Sequence, residues 1–131
     1  DPGLAAWLAG VRSAEEAKTG IMRGGLYENL VIIELFEQML NKGEPPHFFF
    51  YRDNHGNEID LVIKHNRKII PIEIKSSETF NTDFHKGIAY FHKLVPSSTP
   101  GFILYNGERD TDFHGTRVTN PLRLPDDDIL M

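Results

Sequence analysis

GNEIDLVIKHNRKIIPIEIKSS, residues Gly56 to Ser77, decides the fold. Ile59, Leu61 and Ile63 alternate on one side of a first strand, and Ile70, Ile72 and Ile74 on one side of a second. The turn between them is Asn66-Arg67, or the slightly longer His65 to Lys68. The opposite face then carries Glu58, Asp60, Val62 and Lys64 facing Ile69, Pro71, Glu73 and Lys75. Either turn sets Asp60 directly across from Glu73, and opposed Cβ atoms lie roughly 5 Å apart, where like charges repel. Isolated buried charge costs several kcal/mol unless it is paired or binds metal. Two facing carboxylates suit a hard divalent cation, which takes oxygen ligands at about 2.0–2.6 Å. A metal there would polarise a phosphoryl oxygen or activate water. Lys75, two residues further along the same face, would orient or deprotonate that water, or stabilise charge developing on a phosphate. The competing reading is a cross-strand Glu–Lys pair on a solvated face, which is worth little.

A third carboxylate bears on that choice. GGLYENLVIIELFEQMLNKG, Gly24 to Gly43, has the spacing of an amphipathic helix with a stop at Asn41-Lys42-Gly43. Val31, Ile32, Ile33, Leu35, Phe36, Met39 and Leu40 fill one broad face. Glu28 falls in the middle of that face, in line with Ile32, Leu35 and Met39, and Asn29 also falls on the apolar side. Glu34, Glu37 and Gln38 lie opposite, on the solvent side. Glu28 is either a first-turn acid favoured by the helix dipole or an inward carboxylate that joins Asp60 and Glu73.

Further strands are expected at His47 to Arg52, Asn57 to Lys64 and Lys68 to Lys75, a second helix over Asp83 to Leu94, a strand at Gly101 to Tyr105, and a last strand at His114 to Thr119. This αβββαβ order predicts an α/β fold with a mixed central sheet flanked by helices. Phe48, Phe49 and Phe50 in a row predict a strand buried on both faces. The 131 residues, 40% hydrophobic, suit one domain: a lead-in over 1–23 with a short start at Leu4 to Leu8, a core over 24–105, and a terminal strand with an acidic tail over 106–131. No stretch approaches the ~20 apolar residues of a membrane span, and no signal-peptide pattern occurs. The absence of Cys excludes disulfides and thiolate metal sites and fits a cytoplasmic protein. The chain begins at Asp1 without an initiator Met, as a fragment of a longer protein would. It holds no GxxxxGK[ST] phosphate cradle, so these residues are not themselves an ATPase.

A helix with an inward Glu, an Asp on one strand and Glu-x-Lys on the next resembles the PD-(D/E)XK nuclease superfamily, with Ile59-Asp60 standing where Pro-Asp is usual. GGLYENLVIIEL, FFFYRDNHGNEIDLVI and IPIEIKSS, together with DPGLAAWLAG, GFILYNG and HGTRVTNPLRLP, resemble one branch of it. That branch is the domain of unknown function found C-terminal to the ATPase module of many predicted prokaryotic AAA-type ATPases. The resemblance implies a restriction-endonuclease-like core in which Glu28, Asp60, Glu73 and Lys75 match the active-site positions. Asp60, Glu73 and Glu28 would hold Mg²⁺ or Mn²⁺ while Lys75 assists water, the substrate being DNA or RNA and the partner an ATPase module of the same chain.

Charge weighs against easy nucleic-acid binding, since 14 Lys+Arg against 19 Asp+Glu give a net of −5. Asp126 to Asp128 belong to a tail expected to be solvated, and a cation would offset the three candidate ligands. His85, Lys86, His92 and Lys93 form either a basic patch or, more simply, a solvated helix face. His47, His55, His65 and His114 are scattered, and Tyr51-Arg52 is a candidate phosphate contact or a partner for a neighbouring acid. Three functions are compatible with these residues. They are a Mg²⁺-dependent phosphodiesterase, a nuclease-like domain that no longer cuts and instead serves the ATPase as a docking or nucleic-acid-binding module, and, last, a purely structural domain.

Overall fold

Two hairpins with the same two-residue turn chemistry frame the sheet. In the computed structural model, which describes residues 23–125 and 128–130, strand β2 (Glu58–His65) returns into β3 (Lys68–Lys75) through Asn66 and Arg67. These two residues adopt φ of 48° and 68°. Paired positive φ values at both central positions give the turn whose twist matches that of the flanking strands. The ladder runs from His65 opposite Lys68 to Leu61 opposite Ile72, the register expected for the Asn66-Arg67 turn. The second such hairpin joins β5 (Thr111–Phe113) to β6 (Thr116–Thr119) through His114, φ 53°, and Gly115, φ 86°. β5 was not expected, and His114 lies in the turn instead of opening the last strand.

Strand β1 (His47–Arg52) pairs antiparallel with β2, and β4 (Phe102–Tyr105) runs parallel to both β3 and β6. The six strands lie in the order β1-β2-β3-β4-β6-β5, a mixed sheet with β3 and β4 at its centre. Helix α1 (Arg23–Asn41) precedes β1, while a 3-10 turn (Thr82–His85) and helix α2 (Lys86–Leu94) make the crossover from β3 to β4. Gly43, at φ 72°, ends α1: with it the Glu44 amide turns back to the Met39 carbonyl (3.0 Å), satisfying a terminal acceptor. The Asn81 side chain caps the 3-10 turn by accepting from the Asp83 amide (2.8 Å).

Each helix covers one face of the sheet. Val31, Leu35 and Met39 of α1 pack with Leu61, Ile63, Ile70, Ile72, Ile74 and Leu104. Ile88 and Phe91 of α2 pack with Ile59, Val62, Ile103, Tyr105 and Val118. Four corrections to the expectations follow. Ile59 does not share a face with Leu61 and Ile63, because β2 carries a bulge: Phe49 pairs Val62 and Tyr51 pairs Ile59, so two residues, Asp60 and Leu61, stand across from Phe50 alone. Phe48 to Phe50 are not buried on both faces, because β1 is the sheet's edge; Phe49 is 51% and Phe50 84% exposed. The buried stripe of α1 is narrower than its apolar face, leaving Phe36, Leu40 and Asn29 exposed. Phe36 packs edge-on with Phe48, ring centres 5.7 Å apart. Asp128 is not a free tail charge: it pairs with Arg117, which also reaches Asp110, while its neighbour Ile129 enters the α1-side core. The lead-in, including Leu4 to Leu8, and the rest of the acidic tail lie outside the described residues.

Candidate functional site

The bulge in β2 interrupts the ladder just where the charges begin. The β2–β3 pairing stops at Leu61–Ile72, and beyond it the Ile74 amide donates to the Asp60 carboxylate (2.8 Å). Asp60 is therefore fixed by the backbone of the opposite strand, and its half-buried carboxyl is raised above the ordinary carboxylate value, first by burial. Glu73, on β3, points to the α2 side and is only 4% exposed. Burial, then the neighbouring Asp60 charge, pushes its carboxyl up to about 8. Its Oε2 lies 3.4 Å from Lys75 Nζ, while its Oε1 is buried with no hydrogen-bond partner.

Why Glu73 is so deeply covered follows from Gly87. A Cβ at that position would lie 2.8 Å from the Glu58 carbonyl oxygen and 3.2 Å from Glu73 Oε1. Glycine in this turn of α2 lets the helix close over the carboxylate. An isolated glycine inside a helical pattern is a sequence signal for such close approach, and it was the one available pointer to α2 as the lid of this site. Lys75 is partly exposed, with Nζ 5.7 Å from the centre of the Phe84 ring and in range of cation–π attraction.

Glu28 lines a cleft of about 220 Å³ together with Phe50, Arg52, Glu58 and Asp60, while Glu73 lies on the α2 side under Gly87. Glu28 is half-buried, and its carboxyl is pushed up to about 7, first by burial and then by the charges of Asp60 and Glu58. Of the four residues singled out from the sequence, Asp60, Glu73 and Lys75 thus form one charge-coupled group. Glu28 joins it through Asp60. Among the described residues no three His, Asp or Glu side chains are arranged to hold a metal ion as they stand.

A hard divalent cation nevertheless fits the chemistry of the donors. Glu73 presents an orphaned buried oxygen beside a second carboxylate, and burial, first of all, raises both above the ordinary carboxylate value despite Lys75.

The other polar residues considered in the sequence fall elsewhere. Tyr51 donates to Asp53 (3.2 Å) and Arg52 pairs with Glu58 (3.4 Å), so the pairing with neighbouring acids is what forms. The basic residues around α2 are mostly engaged: His85 with the Thr116 hydroxyl (3.0 Å), Lys86 with Asp83 (3.3 Å) and His92 with the Ser98 hydroxyl (3.1 Å). Phe50, taken from the sequence as core, is the cleft-lining residue that sequence reasoning missed.

Among the described residues no helix is long and apolar enough to cross a membrane. No curated protein matches the chain. A family model described as "Domain of unknown function (DUF4143)" matches residues 23–124, which include every helix and strand described above. The chain belongs to that family, DUF4143.

Proposed function

We propose that this domain is a divalent-metal-dependent, nuclease-like domain of the PD-(D/E)XK kind that acts on nucleic-acid phosphodiesters. The observation that carries this reading is Glu73: a carboxylate 4% exposed, one oxygen unpartnered, set against a second carboxylate. Such an arrangement costs free energy in the isolated chain and is relieved by a proton or a cation. Asp60 and Glu73 would hold Mg²⁺ or Mn²⁺, with Glu28 as the third carboxylate on the cleft wall. When bound, the ion supplies a Lewis acid for a phosphoryl oxygen and water of lowered pKa.

The chain's own residues supply the rest. The Ile74 amide fixes Asp60 by one oxygen, beside Glu73. Gly87 brings α2 close enough to shield Glu73 from water. Lys75 Nζ, partly exposed and 3.4 Å from Glu73, is placed to orient a water or to donate a hydrogen bond to a phosphate oxygen. The branch resemblance adds an ATPase module of the same chain as the partner. The net charge of −5 favours a second reading, a docking module that has kept the scaffold without cutting.

Calorimetric titration of Mg²⁺ and Mn²⁺ into the chain, beside Asp60→Asn and Glu73→Gln, tests the proposal. One ion bound by the intact chain and lost in both variants is the expected result. Lys75→Met should then bind metal normally and lose cleavage of DNA and RNA. An intact chain that binds neither ion overturns the metal-dependent reading in favour of the docking module.

A further inference from the structure

Phe50 is the most exposed large aromatic residue described, at 84%. Its exposure leaves a sizeable apolar surface in water. It does not stand on a bare surface: its ring lines the same cleft of about 220 Å³ as Glu28 and Asp60, opposite the bulge that positions Asp60. Arg52, two residues on and so on the same face of β1, borders that cleft with its side chain 81% exposed, and pairs with the exposed Glu58 at 3.4 Å. The cleft wall therefore offers a flat apolar ring, a guanidinium free enough to change partners, and carboxylates.

An apolar protein face pressed on Phe50 would cover Glu28, Glu58 and Asp60 without compensating them. Phe49, its exposed neighbour, points to the other side of the strand and does not extend the patch. An unstacked nucleobase has the opposite character, since its π-face covers Phe50 while its attached phosphate meets Arg52 and a metal-neutralised cleft. We propose that Phe50 and Arg52 form a subsite for one unstacked nucleotide, making single-stranded or frayed nucleic-acid ends the substrate class. This rests on the proposed nuclease-like reading of the same cleft and goes further by naming the form of nucleic acid and the residues that select it.

The test uses Ca²⁺, a hard cation that supports binding with little turnover, a single-stranded DNA oligonucleotide bearing 2-aminopurine, and the matching blunt duplex. Mn²⁺ affinity is measured alongside for each protein. The intact chain should bind the single strand tighter than the duplex and change the 2-aminopurine fluorescence. Phe50→Leu should weaken the single strand roughly tenfold, the scale of one base–aromatic stack, with unchanged Mn²⁺ affinity. Arg52→Gln should weaken it less and flatten its salt dependence. Phe49→Leu, equally conservative and on the other face, should bind as the intact chain does.

Equal binding by Phe50→Leu, or an equal loss in Phe49→Leu, overturns the subsite; concentration-dependent self-association through β1 would then identify a second copy as the occupant. Metal binding without oligonucleotide binding by the intact chain overturns the subsite alone. Absence of metal binding overturns the nuclease-like reading and the subsite with it.

Discussion

The two ends of the β2–β3 hairpin are built from the same alternation and behave oppositely. At the closed end the register is unbroken from Leu61–Ile72 to the turn, and Ile63, Ile70 and Ile72 are each 1% exposed or less. At the open end the β2–β3 pairing stops at Leu61–Ile72, next to the bulge of β2 against β1, one strand amide is satisfied by a side chain, and a carboxylate sits buried with an oxygen unpaired. The closed end contributes stability through apolar burial and ladder bonds. The open end gives stability up by holding charge out of water, which is the pattern expected where local structure serves a site.

That contrast can be broken deliberately. The largest effect should come from Ile72→Ala at the closed end, a fully buried position in a central strand. Urea unfolding should show a loss of about 2–5 kcal/mol, while Mn²⁺ affinity of the folded fraction stays the same. A matching loss of metal affinity would mean that the two ends are not separable.

The pH dependence of stability sharpens the comparison at the open end. Glu28 and Glu73 are raised from an ordinary 4.5 to about 7 and about 8. In the unfolded chain both ionise near 4.5, while in the folded chain they hold their protons. Their contribution is thus fully present below pH 4.5 and is lost as pH rises through 7 to 8. Metal-free protein should become more stable on acidification from pH 8 to pH 5, by about 1–3 kcal/mol. Saturating Mn²⁺, which needs the ionised carboxylates, should reverse the slope. Glu73→Gln should flatten most of it without metal, and a slope as steep as that of the intact chain would move its origin away from Glu73. The smallest effect belongs to the turn. Arg67 adopts φ 68°, a conformation glycine takes at no steric cost. Arg67→Gly should raise stability by about 0.5–1 kcal/mol in denaturant titrations and leave metal affinity alone.

What could be read from the chain follows the range of the interaction involved. The β2–β3 hairpin and its turn are local, so alternation and the Asn66-Arg67 pair located them, and with them the approach of Asp60 to Glu73. Helical period put Glu28 on the apolar face of α1 and left open whether it was a first-turn acid or an inward carboxylate; the structure sets it in the same cleft as Asp60. The bulge did not show, because an extra residue in β2 exists only relative to β1, and neither Gly nor Pro marks it. Phe48 to Phe50 read as core because three aromatics in a row say nothing about strand order, and the edge position of β1 depends on the whole sheet. Strand β5 is three residues, too short to show a period, and is held by its pairing with β6. Asp128 looked like solvated charge because its partner, Arg117, is a long-range contact.

The bond from the Ile74 amide to Asp60 has a spectroscopic consequence. Backbone amides of a sheet interior normally bond to carbonyls, which do not titrate, so their resonances are indifferent to pH. The Ile74 resonance is tied instead to an ionisable oxygen, and through it to whatever occupies the neighbouring oxygen. A single backbone peak, deep in an apolar strand, thereby records protonation and ligation of the site without any label placed in the site itself.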